Sequence, residues 1–220
     1  MNEMTLISTK KKEGYNIMNK LMGFYELKES SLPTIPWKVY TPDVILDENI
    51  LWTIRSAIHK GNDLNLPRVV GKEAKEAKEF ADDLYKKIGE RGIVIFYPYF
   101  IANKSGTLNV FYDKVVIEAV NKDLWNLVTN QDLDVSLIYD MDMNLQLWIG
   151  NEKFLSDEEC NQLLSYSKKV KNIFRDDILE GHSILLEWSY ACDCDKNGHS
   201  VGNSYLVFYE ARTVWLSKVL

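Results

Sequence analysis

Hydrophobic side chains recur along this chain in two rhythms. Between residues 15 and 27, Tyr15, Ile17, Met18, Leu21, Met22 and Tyr25 are spaced by three and four, the period of an amphipathic helix. The same period returns between Gly71 and Gly89. There Ala74, Ala77, Phe80, Ala81, Leu84 and Ile88 form an apolar stripe, a Lys/Glu-rich face is left to water, and Gly89 supplies a stop. A third helix opens at Ser156, where Glu159 completes a capping box, and runs to about Asp176 with Cys160, Leu163, Leu164, Val170, Ile173 and Phe174 inward.

The other rhythm is that of strands. Leu51 to Ile58 alternates around one arginine, Arg55, and the turn His59 to Asp63 follows. Ile93 to Phe96 is continuously apolar and ends at Pro98, which lacks a ladder donor. Ser105-Gly106 reads as a turn, with a strand pair at Leu108 to Tyr112 and Val115 to Val120 after it. Trp125 to Thr129, Val135 to Tyr139 and Leu145 to Ile149 read as further strands. Two prolines keep Ser31 to Pro36 out of a helix. Ser183 to Val214 has two apolar runs around a loop rich in Asp, Asn and Gly, a long hairpin. This order predicts an α+β protein of two lobes, residues 1–97 and 98–220, with antiparallel sheet and flanking helices.

Composition narrows the class. A hydrophobic fraction of 46% in 220 residues supplies a full core. The net charge of −6 does not suggest wholesale binding to nucleic acid, which wants a basic face. Residues 1–14 lack the apolar stretch of a secretory signal, and no run reaches the ~18 apolar residues of a membrane span. With three cysteines, an odd number, the reading is a cytoplasmic protein.

Candidate chemistry centres on the long hairpin. Glu187 and Glu210 stand among apolar neighbours, and Arg212 shares a strand face with Glu210. Charges on an apolar strand need partners. Either they neutralise one another or they hold a metal and a phosphate. Lys10 to Gly14 precedes the first helix as a basic, Gly-containing turn, either an anion site or a solvated run. Arg55, Lys12, Glu118, Glu187, Glu210 and Arg212 are the polar groups that a cleft between lobes would gather.

Several segments, in order, resemble the ATP-binding (ATP-grasp type) domain of pyruvate phosphate dikinase and phosphoenolpyruvate synthase. Thr53-Ile54-Arg55-Ser56-Ala57 is similar to V-R-S-S-A, whose arginine binds ATP phosphates. Gly92 to Phe100 with Ser105-Gly106 resembles the V-V-V-Q-x-M-V…S-G hinge that contacts adenine, and Val115 to Val120 resembles V-V-I-E-A-V. Glu187-Trp188 resembles the end of the metal-binding D-I-E-W, and Glu210-Ala211-Arg212 resembles Q-x-R. Lys12 to Leu21 with Leu32 to Pro36 resembles G-G-K-G-A-N-L…L-P-V-P.

The resemblance implies an ATP-grasp-like fold that binds ATP and Mg²⁺. Adenine would lie beside Tyr97, Tyr99 and Phe100, with Glu118 near the nucleoside. Lys12, Arg55 and Arg212 would sit on the phosphates, Arg55 and Arg212 stabilising the transferred group, and Glu187 and Glu210 on metal. It also implies phosphoryl transfer to a separate phosphohistidine-carrying protein or other acceptor. Departures point to the alternatives, a non-catalytic nucleotide-binding module or a cleft that serves a protein partner. The family's first metal aspartate is Leu185 here, its Gln is Glu210, and Val70-Gly71-Lys72 is the sole candidate for its Gly-rich phosphate loop.

Asp193 to Gly198 resembles the start of a calcium loop, but Ser204 stands where a bidentate Glu is required. Cys192-x-Cys194 with His199 lacks the second ligand pair of a zinc site. Both read as a plain hairpin tip.

Overall fold

The computed structural model describes residues 18–61, 63, 65–124 and 133–215. Two antiparallel sheets with flanking helices form an α+β fold, as the periodicities predict. The smaller sheet has the order β1-β4-β2-β3, with β1 Lys38–Val39, β2 Trp52–Ile58, β3 Arg68–Lys72 and β4 Gly92–Pro98. Helix α2, Ala74–Ile88, covers one face. Its Ala77, Ala81 and Leu84 share a core with Ile54, Val94 and Phe96. Strand alternation then turns Ala57, Ile95 and Tyr97 into a second core with Ala191, Val207 and Tyr209 of the other sheet.

The larger sheet has the order β10-β9-β5-β6-β7-β8. Its strands are β5 Phe100–Val110, β6 Lys114–Asn121, β7 Val135–Asp140, β8 Leu145–Gly150, β9 His182–Cys194 and β10 Ser200–Trp215. Helices α3, Asp157–Ile173, and α4, Arg175–Leu179, cover the face built from Leu108, Ile117, Leu137, Ile184 and Leu186. The Ser156–Glu159 capping box is present. The expected single helix breaks at Phe174, whose ψ of 37° leaves the helical region.

Helix α1, Lys20–Glu29, starts where the Asn19 side chain accepts the Met22 N–H at 3.0 Å. It packs on β10, so the first described segment joins the core of the larger sheet through Met18, Leu27 and Leu32. Gly23 permits the approach, since a Cβ there would stand 1.9 Å from the Ala211 carbonyl oxygen. Gly23→Ala is expected to cost about 1–3 kcal/mol as overpacking, measured as a lower urea midpoint.

Three local expectations are corrected. Ser105-Gly106 is not a turn but the middle of β5, where the missing Cβ admits the Trp188 ring. Val70-Gly71-Lys72 is not a phosphate loop. It lies in β3, with Gly71 at φ 63° beneath the Tyr99 ring. The helix expected from residue 15 begins at Lys20 among the described residues. The Trp125 to Thr129 strand lies outside the described residues. No helix among the described residues is long and apolar enough to cross a membrane.

Candidate functional site

Between the two sheets lies a cavity of about 610 Å³, within the range of small-molecule sites. Four elements supply its polar wall. In β10, Glu210 and Arg212 are two residues apart and share a face; across the ladder Glu210 pairs with Glu187 of β9 and Arg212 with Leu185. Arg55 reaches in from β2 and Lys20 from the first turn of α1. The chain turns from β4 to β5 between Pro98 and Phe100, which brings Tyr97, Tyr99 and Phe100 into the same lining.

Glu210 is the hub. Its side chain is 2% exposed, and Oε2 accepts from Arg55 at 2.5 Å and faces Lys20 Nζ at 3.1 Å. Its Oε1 accepts from Arg212. Burial acts to raise the Glu210 pKa, but Arg55, Lys20 and Arg212 reverse the sign and hold it below the usual carboxylate range. Glu187 goes the other way. Burial, then the charge of Glu210, push it up to about 7, against the pull of Arg55, Lys20 and Arg212. Burial lowers the Lys20 pKa, helped by Arg55 and only partly offset by Glu210. Arg55 also packs over Phe24 and Tyr209, with ring centroids at 5.5 and 5.9 Å.

The aromatic wall is continuous. Tyr97 and Phe100 stack with centroids 6.4 Å apart at 20°, and Phe100 meets Tyr209 at 6.1 Å. Tyr97 is buried, which raises its hydroxyl pKa, and the charge of Arg55 works against that rise. The two stacked rings already touch, so a planar ligand meets their open side or Tyr99.

Seven of the nine residues expected at a site line this cavity: Arg55, Tyr97, Tyr99, Phe100, Glu187, Glu210 and Arg212. Glu118 does not. It sits on β6, where its carboxylate accepts from Thr107 Oγ1 at 3.2 Å. Lys12 lies outside the described residues. The lysine in the cavity is Lys20, and the motif K-G-A-N-L carries a signal for it. Lys20 precedes buried Phe24 by four residues, whereas Lys12 has polar Asn16 in that place. Arg68, Lys122 and Asp63 also line the cavity. Asp63 accepts the Lys20 backbone N–H at 2.9 Å, which fixes the helix start.

A divalent cation requires oxygen donors, and Mg²⁺ needs them in near-octahedral array. Among the described residues no three His, Cys, Asp or Glu side chains converge. Glu210, expected as a metal ligand, has both oxygens engaged by cations, and Leu185 offers hydrocarbon. Of the two expected ligands Glu187 alone remains; Asp63 and Asp123 line the same cavity without converging on it as a three-ligand set, so the donors do not fit a Mg²⁺ held by protein groups alone.

No family model matches the sequence, and no curated protein does. Solved structures give distant likenesses. A D-alanine–D-alanine ligase from Bacillus anthracis has a TM-score of 0.46 at 10% identity, covering 89% of this chain and 55% of the ligase. The macrocyclase MdnC bound with precursor peptide MdnA, from Microcystis aeruginosa MRC, has a TM-score of 0.42 at 9% identity, covering 87% of this chain and 51% of that one. The chain thus spans about half the length of each, and neither likeness assigns an activity.

Proposed function

We propose that the cavity is a nucleotide site of ATP-grasp type, with the base against Tyr99 and Phe100 and the phosphates against Lys20, Arg55 and Arg212. The observation that carries this reading is the convergence of those cations and the aromatic wall in one cavity, drawn from segments more than 150 residues apart, as the Arg55–Glu210 bond demonstrates. Cations that already sit in a dry wall read phosphate strongly, since charge-assisted hydrogen bonds are about twice as strong as neutral ones.

The reading favoured within that site is binding without chemistry. No histidine lines the cavity among the described residues, so no resident imidazole is placed to relay a phosphoryl. The carboxylate expected to hold metal is spent on ion pairs. Transfer to a separate phosphohistidine-carrying protein is the competing reading, and ATP turnover with that acceptor would favour it.

Calorimetric titration with ATP tests the site, and Arg212 is the cleaner probe because its side chain is 23% exposed and Arg55 is deeply buried. Arg212→Ala is expected to weaken ATP roughly ten- to hundredfold, the loss of one or two charged hydrogen bonds. Equal affinity in wild type and variant removes Arg212 from the phosphate end. No ATP binding by the wild type removes the nucleotide reading.

A further inference from the structure

We propose that this cavity takes a polyphosphate ligand without a divalent cation, because Glu210 gathers three side-chain cations on the wall where the metal would otherwise be held. The proposal rests on the nucleotide reading above and adds the form in which the ligand is bound. A carboxylate offers about four lone-pair sites. Three on Glu210 face Arg55, Lys20 and Arg212. A metal within the ~2.0–2.1 Å of a Mg–oxygen bond would sit amid those three positive groups. The neighbouring strand position, Leu185, has no donor to offer.

The cations keep donors for a ligand while Glu210 holds them. A guanidinium carries five N–H groups and an ammonium three. Arg55 Nε is buried with no hydrogen-bond partner among the described residues. The lining presents Lys20, Arg55, Arg68, Lys122 and Arg212 against Asp63, Asp123, Glu187 and Glu210. Positive charge is thus in excess on the wall itself. Fixed cations then do the neutralising that Mg²⁺ does elsewhere, and a chelated metal would only screen the phosphates from them.

The experiment titrates the full chain at pH 8 with ATP and with inorganic tripolyphosphate, each in Mg²⁺ and in EDTA. Both probes are expected to bind in EDTA at least as tightly as in Mg²⁺. ATP binding that falls roughly tenfold or more in EDTA overturns metal-free binding and leaves the nucleotide site standing. Tripolyphosphate bound in EDTA with no binding of ATP supports the metal-free site and overturns the nucleotide reading. Failure of both probes overturns both.

Glu187→Gln gives the opposite signs a second time. Removing an acid from the wall should tighten binding in EDTA by roughly threefold or more. A metal-ligand role for Glu187 requires the reverse, a loss of binding confined to Mg²⁺. A melting curve matched to the wild type certifies the variant as folded, and the wild-type titrations stand without it.

Discussion

Glu210→Ala is expected to remove about 3–5 kcal/mol of folding stability, the cost of leaving buried charges without their partner. Lys20 and Arg55 are 8% and 4% exposed, so neither can turn to water when the carboxylate goes. Burial already lowers the Lys20 pKa, and without Glu210 that lysine sheds its proton more readily still. The melting temperature should fall by roughly 6–20 °C for a chain of this size, with a matching drop in the urea midpoint. The surface pair Lys72–Glu76 is the control. Its partners are 39% and 59% exposed, and Glu76→Ala should leave the midpoint near the wild-type value. If Glu210→Ala behaves like the control, the cluster is solvated and its role as hub is wrong.

Glu187 carries the second large expectation, a fall in stability as pH rises from about 4.5 to about 7. In the folded chain its carboxyl keeps the proton up to about 7, because of burial and Glu210; its ordinary value is 4.5. Within that window the unfolded chain binds fewer protons than the folded one, so raising the pH favours unfolding, and the effect ends above the folded value. Its size is on the order of 3 kcal/mol. Glu210 has the opposite sign. Its pKa is lowered on folding, so its contribution is present above its ordinary 4.5 and is lost as pH falls through the lowered value. Stability is thus eroded on the acid side by Glu210 and on the neutral side by Glu187. Glu187→Gln should flatten the limb between about 4.5 and 7 in urea unfolding at a series of pH values and leave the acid limb in place. A wild-type curve already flat there would mean that Glu187 is ionised in the fold.

The cavity was legible wherever side-chain period and charge coincided. Strand alternation put Glu210 and Arg212 on one face, and an arginine within an apolar strand pointed to Arg55. What escaped had little local signature. Lys20 is marked only by apolar Phe24 four residues on; its charge does not distinguish it from a solvated lysine, and its place in the cavity comes with the close packing of α1 on β10 at Gly23 and Ala211. Strand β3 carries two basic residues and a glycine in five positions, a poor strand pattern, and it forms because β2 offers it an edge. Ser105-Gly106 has turn chemistry, but Trp188 needs the space above Gly106. Glu118 shares the sheet with the cavity and points beside Thr107, a displacement that no spacing rule reveals.

Arg55 belongs to the smaller sheet and Glu210 to the larger, so their 2.5 Å bond is a rivet between the two halves of the molecule. Jaw-like parting of the halves would have to pull apart a desolvated ion pair. Asp63, Asn65, Leu66 and Arg68 on one side of the chain's path and Lys122 to Leu124 on another complete the lining beside that pair. A ligand that enters without breaking this pair finds the two sheets at the spacing the pair already sets.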